Sequence, residues 1–220
     1  MKVENSNWPF VAAIFDLDGV IVDTAKYHFL SWKRLADELG FEFTQEENEQ
    51  LKGVSRIRSL EILLEIGGLT FDQEQLSALA TKKNNWYLAY IDQLDQSEIL
   101  PGAKEFLLQL KTDGIRIALA SASKNARRIL SRLNIGELFE VIVDGNKVSK
   151  AKPDPEVFLC AARELGVHPD ECIVFEDAEA GVQAAKRAGM KVIGIGNQDV
   201  LKGADQVFTS LAGITINADL

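Results

Sequence analysis

The chain has 220 residues, 46% hydrophobic and 26% charged, which is enough to bury a substantial core in one large or two small domains. Its net charge of -9 excludes the broad basic face of a duplex nucleic-acid binder, while a few local cations still suffice for a small anionic ligand. Cys160 and Cys172 form no CxxC pair, and neither the leader MKVENSNWPF nor any later run is apolar enough for a signal core or a membrane span, so the expectation is a cytoplasmic protein without nucleic-acid or membrane partners.

The first apolar run, FVAAIF (10–15), reads as a buried strand. From there to about residue 94 the sequence is helical in pattern and offers no strand. TAKYHFLSWKRLADELG, TQEENEQLK, SRIRSLEILLEIGG and FDQEQLSALATKKNNWYLAYIDQL predict four helices. An interval this long is too large for a simple crossover. It predicts a helical cap domain over 24–94, entered near Asp23 and left near Asp95, inserted in a core made of 1–23 and 95–220.

Beyond the insertion, helix and strand patterns alternate. IRIALA (115–120), FEVIV (139–143), CIVFE (172–176) and KVIGIG (191–196) read as strands, separated by NARRILSRLN, PEVFLCAARELG and AEAGVQAAKRAG, with GAKEFLLQLKTDG before the first. In the third of these four helix patterns Val157, Phe158, Ala161, Ala162 and Leu165 recur at helical spacing and make one apolar stripe. The alternation implies right-handed crossovers and an α/β fold with a doubly wound, mostly parallel, Rossmann-like sheet.

Ligands of such sheets bind outside the carboxyl ends of the strands, and the loops there are polar in this chain. Asp16 and Asp18 follow the first strand, Ser121, Ala122, Ser123, Lys124 and Asn125 the second, and Glu176 and Asp177 end the fourth; Lys152 and Pro153 precede a helix. Taken singly, a DxD pair is more often a solvated turn or a helix cap, a Ser-rich loop an N-cap, and a lysine before proline a surface residue. Their joint occurrence at successive strand ends points to chemistry. Asp16, Asp18, Glu176 and Asp177 at one sheet edge repel one another unless a cation is bound, and an all-oxygen set suits Mg²⁺. One aspartate is then placed to attack phosphorus, with Lys152 and Ser121 stabilising the transferring group.

DLDGV (16–20), SAS (121–123), KP (152–153) and EDAEAG (176–181), in this order, resemble the motifs of the haloacid dehalogenase superfamily of phosphotransferases over essentially the whole chain. The resemblance implies Asp16 as nucleophile and Asp18 as general acid/base, with Asp16, the Asp18 backbone carbonyl and Asp177 as metal ligands. It also implies Glu176 near the metal and touching substrate, and Ser121 and Lys152 holding the phosphoryl group. The aspartate at position 18 argues against dehalogenation, which needs no such acid.

TAKYHFLSWK (24–33), LKGVSR (51–56), KKN (82–84) and SASKN (121–125) are similar to the β-phosphoglucomutase family within that superfamily. This second resemblance implies a small sugar-phosphate substrate, activation by β-glucose 1,6-bisphosphate and a monomer. Arg56, Ser123, Lys124 and Asn125 would hold a distal phosphate, with Ala122 beside them. His28 would link closure to the acid/base, Thr24 would hydrogen-bond the latter, and Lys83 would lie nearby. Trp32, Lys52, Gly53, Val54, Ser55 and Ser59 would face the sugar. On pattern alone His28 and Trp32 fit a cap core equally well, since they share a helical face with Leu35 and Leu39. A sugar-phosphate phosphatase of the same superfamily, or a non-catalytic sensor on the same fold, stands as the alternative; Asp16 and Asp18 together speak against a sensor.

Overall fold

The computed structural model describes residues 9–214; the first eight residues of the leader and the last six of the tail SLAGITINADL lie outside them. Six strands pair in parallel: β1 (Ala12–Phe15), β2 (Arg116–Ala120), β3 (Val141–Val143), β4 (Cys172–Glu176), β5 (Lys191–Ile195) and β6 (Gln206–Phe208), in the order β3-β2-β1-β4-β5-β6. The chain therefore builds outward from β1 to β3 and then crosses back to lay β4 on the other side of β1. The doubly wound sheet expected from the alternation is present, with its switch point between β1 and β4.

Strand residues alternate between the two faces, and both are apolar. Ala13, Phe15, Leu119 and Phe175 pack under α5 (Ala103–Thr112) and α6 (Ala126–Leu133). Ala12, Ile14, Ala118 and Val174 pack under α7 (Glu156–Leu165) and α8 (Glu179–Arg187). Burial on both faces is why the strands read as continuous apolar runs. Phe15 stacks on Phe175 at 4.6 Å, and Phe106 meets both edge-on, fastening β1 to β4 just below the polar loops. The stripe read from the sequence on α7 is buried as a unit.

Between β1 and β2 lie α1 (Ala25–Leu39), α2 (Gln45–Asn48), α3 (Arg56–Ile66) and α4 (Gln73–Ile91). They enclose their own apolar cluster around Trp32, Leu35, Phe43, Leu60 and Leu63. TQEENEQLK is shorter than a full helix: one turn closed by a Thr44–Glu47 capping box, then a 3-10 turn at Glu49–Leu51. The two connections to the sheet run side by side. Val22 and Ile99 pair as an antiparallel bridge, and Glu98 binds Tyr27 Oη at 2.8 Å and Lys26 Nζ at 2.6 Å.

Besides the shortened second helix and a β3 that starts at Val141 rather than Phe139, two strands differ from the sequence pattern. β1 starts at Ala12 rather than Phe10, and β6 has no counterpart in the sequence reading because three half-buried edge residues carry no periodicity. What places β6 is the preceding residue. Asp205 Oδ2 accepts from the Val192 N–H at 2.8 Å and from Lys186 Nζ at 2.6 Å, and Lys191 Nζ lies 3.4 Å from Oδ1. Burial opposes the charged form, but these donors outweigh it and hold the carboxyl below its ordinary pKa. A depressed carboxylate stabilises the fold above its unfolded pKa of about 3.9 and loses that contribution as pH falls through the lower folded value. Urea titrations should therefore find Asp205→Asn less stable than the parent at pH 7 and less sensitive to acidification below about pH 4. Parallel acid profiles would contradict this role.

Candidate active site

Adjacent strands β1 and β4 end together, and their polar termini converge. The Asp16 N–H donates to the Phe175 carbonyl at 2.9 Å, so Asp16 starts its loop in sheet register beside Glu176. Lys152 Nζ lies between them, 2.5 Å from Asp16 Oδ1 and 2.5 Å from Glu176 Oε1, with its side chain wholly buried. Burial works against this ammonium, but the two carboxylates outweigh it and hold Lys152 protonated, above its ordinary pKa. Glu176 is pushed up by burial despite Lys152, and its second oxygen accepts from the Ala178 N–H at 3.0 Å. Each of its oxygens accepts one hydrogen bond within the protein, and Glu176 does not line the cleft. The resemblance implies a substrate contact for it; the partner seen in the structure is Lys152.

Asp177 reaches the same place from the loop after β4. Asp16, Glu176 and Asp177 each offer an oxygen within 4.8 Å of the others. Burial, then the charges of Glu176 and Asp16, push the Asp177 carboxyl well above its usual range. Three hard oxygen donors with one lysine among them fit a divalent cation such as Mg²⁺. The motif glycines follow from this crowding. A Cβ on Gly19 would overlap the Asp177 carboxylate and Gly19 has φ +81°, while a Cβ on Gly181 would overlap the Glu176 carboxylate.

Asp18 stands just outside this cluster. Burial first, then Asp16, raise its carboxyl to about 7, so its protonated and ionised forms are both populated near neutral pH. The Thr24 hydroxyl donates to Asp18 Oδ1. Thr24 occupies the N-cap position of α1 yet makes no side-chain cap bond, giving up a contribution of about 1 kcal/mol to hold Asp18.

A file of buried polar groups continues into the helical insertion. Lys83 Nζ lies 2.8 Å from His28 Nδ1 and 4.3 Å from the centre of the Trp32 ring. Burial, then Lys83 and Arg56, hold His28 well below its usual pKa; burial, then Arg56, do the same to Lys83. The neutral imidazole accepts from Lys83 at Nδ1, which leaves Nε2 as its donor. The Tyr87 ring lies 4.0 Å from that of His28, tilted by 32°, with its hydroxyl buried near Thr24. The sequence reading missed Tyr87, although it lies one turn after Lys83. Trp32 serves both readings: it is buried in the insertion's apolar cluster and also lines the cleft.

Opposite this file, the loop after β2 is wound by its own side chains. The Ser123 N–H donates to Ser121 Oγ at 3.1 Å, and the Asn125 N–H to Ser123 Oγ at 3.2 Å. Asn125 is the N-cap residue of α6 but its side chain does not cap. Together these elements surround a cavity of about 440 Å³. Asp16, Asp18, Ser121 and Asp177 lie on its walls, as do Ala122, Ser123, Lys124 and Asn125 from the loop and His28, Trp32 and Lys83 from the helices.

Lys52, Gly53, Val54, Ser55, Arg56 and Ser59 line it from the turn before α3 and from that helix. Two of these also have local duties: Ser55 Oγ caps α3 through the Arg58 N–H, and Ser59 Oγ donates to the Leu51 carbonyl. Thr24, Lys152 and Glu176 stand behind the surface. Asn48, unforeseen in the sequence, also lines it. Among the described residues, Arg56 is the arginine whose guanidinium makes no hydrogen bond or ion pair; the other eight are each engaged.

The haloacid dehalogenase-like hydrolase family matches residues 13–195. A relative, the beta-phosphoglucomutase of Bacillus subtilis (strain 168), is 45% identical over 207 residues, 93% of this chain and 92% of its own. A phosphorylated carbohydrates phosphatase of Thermotoga maritima is 34% identical over 187 residues, 83% of each chain. Among solved structures, the beta-phosphoglucomutase of Clostridium difficile has a TM-score of 0.90 at 42% identity and covers 94% of each chain. The matched span runs from β1 through the helical insertion to β5 and contains every residue assembled above, and the chain belongs to the haloacid dehalogenase-like hydrolase family.

Proposed function

We propose that this chain is a Mg²⁺-dependent β-phosphoglucomutase, interconverting β-D-glucose 1-phosphate and glucose 6-phosphate through an aspartyl phosphate and β-glucose 1,6-bisphosphate, which also activates the enzyme. Residues 24–94 act as a cap over a core of 1–23 and 95–220. The observation that carries this reading is the unpartnered Arg56 guanidinium on the cavity wall, in a chain where the other arginines are engaged. A half-buried cation without a counter-ion is costly unless an anion completes it, and a guanidinium grips phosphate bidentately. With Ser123, Lys124 and Asn125 it supplies a second anion site in the cavity that also contains Asp16. A substrate with one phosphate needs one such site; a bisphosphate cycle needs two.

In this reading Asp16, held in place by Lys152, attacks phosphorus. A bond forms from its carboxylate oxygen to phosphorus as the bond from phosphorus to the sugar oxygen breaks. Asp18 gives its proton to the departing oxygen and takes one back from the attacking hydroxyl in the return step. Thr24 occupies Asp18 Oδ1, so Oδ2 is the oxygen that moves the proton. Ser121, on the cavity wall, holds the transferring group, and Lys152 just behind the wall acts on it through Asp16. Held by Asp16, Asp177 and the Asp18 carbonyl, Mg²⁺ would supply charge neutralisation at the phosphoryl oxygens. Lys83 and His28, whose charged forms burial disfavours, offer the sugar hydrogen-bonding groups beside Arg56.

A sugar-phosphate phosphatase is the second reading, favoured by the 34% identical phosphatase relative. There water, rather than a sugar hydroxyl, would take the phosphoryl group from Asp16. Phosphorus NMR of β-glucose 1-phosphate with the protein, Mg²⁺ and a trace of the bisphosphate separates the two. Glucose 6-phosphate is the expected product; inorganic phosphate alone would establish the phosphatase, and unchanged substrate would remove both. In the same assay Arg56→Ala should lower isomerisation at least about tenfold, as expected for a lost charged hydrogen bond, and leave hydrolysis of the phosphoenzyme little changed. Equal loss of both would remove the distal-clamp role.

A further inference from the structure

Asn125 has the residue type and position of a helix N-cap, yet α6 begins without a side-chain cap bond. Its carboxamide instead reaches across the cleft, where Nδ2 donates to Asn84 Oδ1 on α4 at 3.0 Å. Asn84 lies outside the cavity lining, whereas Asn125 is part of it. Among the described residues, the other side-chain hydrogen bonds between the helical insertion and the sheet side lie at Thr24, at the linkers around Glu98, or at Asp92 beside the end of α4. The Asn84–Asn125 bond is the one that joins the two sides away from them.

A carboxamide has a donor end and an acceptor end of nearly the same shape, and the two have opposite effects on a phosphate. The Asn84 carbonyl accepts one of the two Nδ2 hydrogens. In this pairing the Asn125 nitrogen faces its partner on α4 and keeps a second N–H to donate. Without an acceptor on α4 the amide is free to turn and present its oxygen, which repels phosphate.

We propose that Asn84 is a positioning residue for the distal phosphate, acting through Asn125: it sets the donor end of that carboxamide and does so only when α4 is drawn over the loop. Closure and completion of the distal site are then one event. This rests on the mutase reading above, in which Asn125 binds the second phosphate.

The test is a double-mutant cycle on the full chain, read as the concentration of β-glucose 1,6-bisphosphate that gives half-maximal activity. Asn84→Ala should raise that concentration about fivefold to tenfold, the range for one hydrogen bond, with kcat and phosphoenzyme hydrolysis by water within about twofold. Alanine favours the helix, so the thermal midpoint should not fall by more than about 2 °C. In an Asn125→Ala background, Asn84→Ala should have no further effect. An unchanged half-saturation in Asn84→Ala, or effects of the two substitutions that multiply in full, would overturn the proposal. If Asn125→Ala alone leaves half-saturation unchanged, the distal-phosphate reading itself fails, and it is this arm that tells the two failures apart.

Discussion

A single buried ammonium, Lys152, makes the rest of the site possible. Asp16, Glu176 and Asp177 crowd the ends of β1 and β4 with their oxygens within 4.8 Å of one another, a placement that like charges resist. Lys152 Nζ touches two of the three at 2.5 Å. Removing one partner from a buried pair of this kind typically costs about 3–5 kcal/mol, because it strands a charge without water. The lysine therefore fixes the direction of the Asp16 carboxyl, and Glu176 holds the lysine from its other side. Lys152 balances only part of this charge, and the rest falls to protons on the raised carboxyls or to a bound cation.

The sheet topology explains why these groups meet at all. β1 and β4 are separated by more than 150 residues yet are neighbours, because the winding reverses between them. Two parts of the chain then close over their ends, the loop after β2 and the helical insertion. Each gives up local stability to do so. Thr24 and Asn125 are both suited to cap the helices they precede, and both turn their side chains elsewhere, Thr24 to Asp18 and Asn125 to Asn84. Local rules broken at two helix starts facing one cavity mark the place where function outweighs folding.

Much of this was legible in the sequence because it depends on short-range pattern. Parallel strands buried on both faces gave apolar runs, and DLDGV and EDAEAG carry their glycines beside the very carboxylates those glycines make room for. What stayed hidden depends on partners far apart in the chain. Glu176 resembles a ligand-facing residue until Lys152, 24 positions away, takes its carboxylate. Asn84 stands next to Lys83 in KKN, but nothing local pairs it with Asn125, 41 positions on. Edge strand β6 has too few residues for a period, and the anchor before it, Asp205, resembles any surface aspartate.

In the proposed reading the carboxylates at the switch point form a cation site whose charge the chain only partly balances. Calorimetric titration of the full chain with Mg²⁺, alongside Asp177→Asn, tests it directly. The parent should bind one equivalent and gain thermal stability with Mg²⁺ concentration, as any ligand specific to the folded state confers. Asp177→Asn should bind far more weakly and, with one like charge removed, be more stable than the parent when Mg²⁺ is withheld. A parent chain that takes up no Mg²⁺, or a variant that binds it equally well, would contradict the claim.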